Sequence, residues 1–120
     1  MNSESIIAEL IADGWREYPS PYRNGTRLFC KSFADASECK CNQGKPKQLE
    51  IYYYLPQRIS SIDIPARFKI ECHGQLPNNE WILMSFGDLT STDKINSAAK
   101  TLIDLWNRAV SITPNVEETD

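Results

Sequence analysis

A chain of 120 residues, 41% apolar and 24% charged, has the size and composition of one globular domain, large enough to bury a core without a disulfide or metal staple. It holds no long uncharged apolar run, which excludes a transmembrane helix, and the early acids Glu4, Glu9 and Asp13 without a basic segment argue against a secretory leader. The expected location is therefore cytoplasmic, with Cys30, Cys39, Cys41 and Cys72 as reduced thiols.

The formal net charge of −3 is unevenly spread: residues 1–15 carry −3, residues 16–69 carry +5 and residues 70–120 carry −5. The basic portion coincides with the predicted strands and the acidic portions with the predicted helices. Such asymmetry bears on partners and solubility, not on the fold.

Residues 3–13 are predicted to form a short amphipathic helix with Ile6, Ile7, Leu10 and Ile11 on its apolar side, Ser3 as N-cap and Gly14 just past its end. Residues 15–18 read as a short strand, and Pro19 and Pro21 interrupt regular structure. Asn24-Gly25 is a hairpin signal. Residues 26–33 alternate as a strand, expected to turn Leu28 and Cys30 one way and Arg27, Phe29, Lys31 and Phe33 the other. A loop over 34–47 contains Cys39 and Cys41.

Residues 49–55 form the clearest strand, with Leu49, Ile51, Tyr53 and Leu55 opposed to Glu50, Tyr52 and Tyr54. A second loop is expected over 56–65. Residues 67–73 alternate again, with Phe68, Ile70 and Cys72 against Arg67, Lys69, Glu71 and His73. After a turn at Leu76-Pro77-Asn78-Asn79, the nearly continuous apolar run 81–86 suggests a strand covered on both faces or placed centrally. Residues 90–112 carry a helical stripe of Ile95, Ala98, Ala99, Leu102, Leu105, Trp106, Ala109 and Ile112. Thr90 and Asp93 fit a capping box, and Pro114 marks the stop.

These elements predict an α+β fold: a two-layer sandwich in which an antiparallel meander of four to five strands carries an N-terminal and a long C-terminal helix on one face (α-β-β-β-β-α). Residues 1–114 form the single domain, and 115–120, with Glu117, Glu118 and Asp120, an acidic disordered tail. The helix-covered face is expected to carry Leu28, Cys30, Leu49, Ile51, Tyr53, Leu55, Phe68, Ile70 and Cys72. The reverse face is then left to Arg27, Phe29, Lys31, Phe33, Tyr52, Tyr54, Arg67, Lys69 and His73, an aromatic surface interleaved with positive charge.

Specific chemistries are poorly served. Cys39 and Cys41, with Cys30, Cys72 and His73, are candidate zinc ligands, but C-x-C is not the usual knuckle spacing and no second pair follows. Cys72 and His73 are strand neighbours and so point to opposite faces, which prevents a nucleophile–base pair. His73 is the single histidine, and no glycine-rich phosphate loop is present. No local spacing brings two carboxylates together. The order of elements superficially resembles a double-stranded RNA-binding domain. The lysines of that family at the start of its last helix are not matched by Asp93 and Lys94, so its activity is not carried over.

The reading is a small non-enzymatic binding protein without a cofactor. It acts through protein–protein contact, as compact phage or mobile-element accessory proteins that inhibit host machinery do. Its partner is another protein or a second copy of itself, with no membrane contact. The alternatives are a nucleic-acid module using the basic-aromatic face, and a small zinc-containing or hydrolytic domain.

Overall fold

The computed structural model describes residues 1–22, 25–33 and 47–113. In chain order the elements are α1 (Ser3–Ala12), β1 (Arg16–Tyr18), β2 (Arg27–Ser32), β3 (Gln48–Tyr54), β4 (Gln57–Ile59), β5 (Ile62–Ile64), β6 (Arg67–Gln75), β7 (Trp81–Leu89) and α2 (Thr92–Ile112). Five strands form an antiparallel sheet in the order β1-β2-β3-β6-β7, and β4 pairs with β5 alone. The expected meander is present, with one hairpin excursion between its third and fourth strands. Among the described residues, no helix is long and apolar enough to cross a membrane.

Both helices lie on one face of the sheet and share one core. Ile6, Ile7 and Leu10 of α1 and Ile95, Ala98, Leu102 and Trp106 of α2 pack with Phe29, Ile51, Phe68, Ile70 and Cys72. The helix ends are set by short polar side chains, though not those expected. Asn2, not Ser3, caps α1, its side-chain oxygen accepting the Ser5 N–H at 3.1 Å. Ser91, not Thr90, caps α2, its hydroxyl accepting the Lys94 N–H at 3.2 Å. Each cap answers an N–H that the first helical turn leaves without an intrahelical acceptor. The Thr92 hydroxyl donates to the Glu9 carboxylate and ties the start of α2 to α1. Gly14 follows α1 with φ +99°, the left-handed turn a glycine makes without strain.

Three strand expectations need correction. The loop expected over 56–65 contains a hairpin: Gln57, Arg58 and Ile59 pair with Ile64, Asp63 and Ile62 around Ser60 and Ser61. Both serines have positive φ, 49° and 69°, as a two-residue turn matching strand twist requires. β2 runs with the opposite facing: Phe29 is buried in the core and Leu28 and Cys30 point away from the helices. Volume decides between the two apolar sets, because the larger ring fills the space beneath α1 and α2. Arg27 and Lys31 share that face but reach its margins, with their stems over apolar surface and their charges outward.

The third correction concerns β7. The continuous apolar run is not central; it is the outermost strand of the sheet. Leu55, expected in the core, is exposed just past β3, and its Cδ1 would stand 2.5 Å from a Cβ at Gly25. Pro114, Asn24, Cys39 and Cys41 lie outside the described residues.

Candidate functional site

Directly paired residues of adjacent antiparallel strands share a face, so the register writes out the surface that the helices leave open. One row is Tyr18, Leu28, Tyr52 and Lys69; the next is Arg16, Cys30, Glu50, Glu71 and Ser85. Tyr54 stands opposite Arg67, His73 opposite Leu83 and Gln75 opposite Trp81. Of the nine residues expected here, Tyr52, Tyr54, Arg67, Lys69 and His73 share this face. Arg27, Phe29 and Lys31 do not, and Phe33 packs against the core.

The positive charges of the expected patch are largely answered from within the chain. Arg27 makes a two-pronged contact with Glu17, Nε and Nη2 each 2.8 Å from a carboxylate oxygen, and its Nη1 lies 3.5 Å from Glu4. The guanidinium hydrogen bonds hold the Glu17 carboxyl below its usual range. The Lys31 ammonium donates to the Asp13 carbonyl at 2.7 Å and lies 3.3 Å from its carboxylate. These pairs pin β1 and α1 to β2.

On the open face, the Arg67 guanidinium lies 4.7 Å from the Tyr54 ring centroid, and the Lys69 ammonium 5.2 Å from that of Tyr52. Tyr52 is itself almost fully buried, with Tyr22 edge-on against its ring at 5.9 Å. Of the expected basic-aromatic patch, Arg67 and Lys69 therefore already stand over tyrosines, and Tyr52 is not a free ring.

At the centre of the face stands a polar cluster that sequence spacing does not reveal. The Tyr52 hydroxyl donates to Glu50 Oε2 at 2.8 Å, and His73 Nε2 lies 3.0 Å from Glu50 Oε1. The His73 contact foremost, and the Tyr52 bond after it, hold the Glu50 carboxyl below its usual range. The same contact raises His73. Glu71 sits directly across from Glu50 and is 7% exposed. One ligand atom each from Glu50, Glu71 and His73 falls within 4.8 Å of the others.

Cys72 and His73 point to opposite faces, as their adjacency in a strand requires, and Cys72 is fully buried against the helices. Cys30 and Cys72 are free thiols that burial pushes from 9.0 up to about 11. A thiol raised from 9.0 to about 11 holds about 100-fold less thiolate at pH 8. Alkylation at pH 8, mapped by peptide mass spectrometry, is expected to label both at least ~100-fold more slowly in the folded chain than in urea. Equal rates would place these thiols at the surface.

The outer strand differs from the rest of the face. Trp81 and Leu83 are 62% and 63% exposed on the open side of β7, and Phe86, opposite Ile70 on the other side, is also exposed. β7 has no Lys, Arg or Pro, and its single charge, Asp88, sits at its far end. There the strand is bulged, with Asp88 at φ +54°. Natural edge strands are commonly blunted by lysine, proline or a bulge; here only the last residues are protected. Comparison with known protein families, with characterised proteins and with solved structures finds no match to this chain.

Proposed function

We propose that this chain is a protein-binding module that works by strand addition at the β7 edge, and that the strand it takes is the β7 of a second copy. The observation that carries the reading is an apolar edge strand with two large side chains more than 60% exposed and no lysine or proline along it. A patch of that kind left open on a free monomer is a liability, whereas covered by a partner strand it is an interface.

Self-pairing fits the pattern of side chains. Two antiparallel copies of β7 crossing at Leu83 bring Trp81 of one opposite Ser85 of the other and Ile82 opposite Met84. No carboxylate meets a carboxylate in that register, because Asp88 and Glu80 fall outside the paired segment. A two-fold axis normal to the sheet places both open faces on the same side, so the contact is self-complementary and closes after two subunits. The nucleic-acid alternative is less favoured because Arg27, Lys31 and Lys69 already face carboxylates.

Light scattering coupled to size exclusion is expected to give a dimer for the chain at micromolar concentration, and a monomer of unchanged circular dichroism for Leu83→Lys. The inserted lysines of two copies would face each other at the crossing point, the repulsion that edge lysines supply in natural sheets. A wild-type monomer at all concentrations would overturn the second copy as occupant. A dimer that survives both Leu83→Lys and Trp81→Lys would move the interface away from β7.

A further inference from the structure

We propose that Glu50, Glu71 and His73 form a binding site for a divalent transition-metal cation of the zinc class, a site independent of the β7 interface. The three side chains stand on the inner strands β3 and β6, and an oxygen or nitrogen of each lies within 4.8 Å of the other two. Glu50 and Glu71 are directly paired across the strands, and His73 is two residues beyond Glu71 on the same face. Like charges directly opposite in a sheet are destabilising unless a positive group lies between them.

Glu50 has such company in His73 and Tyr52. Glu71 is 7% exposed and has the Lys69 ammonium 4.0 Å from its carboxylate, an ion-pair contact too long for a hydrogen bond. That ammonium also stands over the Tyr52 and Tyr54 rings. Two carboxylates directly opposite each other repel, and a divalent cation bound between them replaces that repulsion with attraction to both.

The donor set selects the class of ion. One imidazole and two carboxylates suit zinc and its first-row neighbours, whereas calcium and magnesium prefer all-oxygen shells. The 3.0 Å between His73 Nε2 and Glu50 Oε1 matches the span of two ligands each ~2.1 Å from one ion at about a right angle. The Tyr52 hydroxyl bonded to Glu50 Oε2 would orient the carboxylate, as outer-shell donors do around bound metals.

Titration of the full chain with zinc chloride, followed by equilibrium dialysis and elemental analysis, is expected to give one bound equivalent at micromolar free metal and a raised melting temperature. Glu71→Gln and His73→Asn, checked for folding by circular dichroism, should each weaken binding at least ~10-fold. The double variant Cys39→Ser, Cys41→Ser should bind as the wild type does. Cobalt loading should give no thiolate-to-metal charge-transfer band. Absence of stoichiometric zinc, binding that survives both cluster variants, or binding lost with the two cysteines would each overturn the site.

Discussion

Replacing Phe29 with alanine is expected to destabilise the fold by about 3–5 kcal/mol, the range for deleting a fully buried aromatic ring. Phe29 is fully buried beneath the helices, in one cluster with Ile51, Phe68, Ile70 and Trp106. A domain of this size has a total stability of about 5–15 kcal/mol, so the variant would lose about a fifth of it or more. Leu28, its neighbour on the opposite face, is only half-buried and lies in the row with Tyr52 and Lys69. Leu28→Ala should therefore cost clearly less. Urea titrations of the two variants and the wild type test the facing of β2 directly. A Phe29→Ala midpoint near wild type, with Leu28→Ala the damaging change, would restore the facing that simple alternation suggests.

Alternation could not decide that strand because both of its phases are partly apolar. In Arg27-Leu28-Phe29-Cys30-Lys31, one phase offers Leu28 and Cys30 and the other a single Phe29 between two cations. Pattern counting favours two apolar residues over one, whereas packing favours the larger volume and lets Arg27 and Lys31 reach Glu17 and Asp13 at the sheet margin. In β3 and β6 the two phases differ sharply, and Leu49, Ile51, Tyr53, Phe68, Ile70 and Cys72 face the core as their spacing predicts. The helices were legible for the same reason, but their stripes are narrower than predicted: Ile11, Leu105 and Ile112 are exposed, and the buried line runs through Ile6, Ile7, Leu10, Ile95, Ala98, Leu102 and Trp106.

The candidate sites were harder to see because they depend on register and strand order, which no single segment carries. Glu50 and Glu71 are distant in sequence and meet only because the β4–β5 hairpin folds out and lets β3 and β6 pair. The Ile-x-Ile pattern of β5 after Ser60-Ser61 was the available sign of that hairpin. The run Trp81-Ile82-Leu83-Met84 looked central because continuous apolarity usually means burial on both faces. Its position at the sheet edge leaves Ile82 and Met84 packed against the core and Trp81 and Leu83 strongly exposed. Disagreements of this kind between local pattern and tertiary position are expected at functional or strained sites.

Trp106→Ala is the second large loss, again about 3–5 kcal/mol, and its neighbour Lys47 makes the result informative. The indole is fully buried, and the Lys47 ammonium stands 4.7 Å over its ring, with the whole lysine 4% exposed. Burial lowers the Lys47 pKa from its ordinary 10.5. The folded chain therefore releases this proton at lower pH than the unfolded chain. In the alkaline window just below 10.5 the unfolded state holds more protons, so this group's contribution to stability rises with pH. Lys47→Met keeps the stem and removes the charge. The stability of wild type minus that of Lys47→Met should become more favourable as pH climbs toward 10.5. Cys30, held at about 11, acts in the opposite direction but is common to both chains and cancels in the difference; Cys72 does not cancel, because the Lys47 charge lowers its pKa, and its further rise in Lys47→Met reinforces the same trend. A double-mutant cycle with Trp106→Ala at neutral pH should return about 0.5–2 kcal/mol of favourable coupling, the range for a cation over a desolvated ring. Zero coupling with a flat pH difference would mean that Lys47 turns its charge to water and leaves the tryptophan to pack alone.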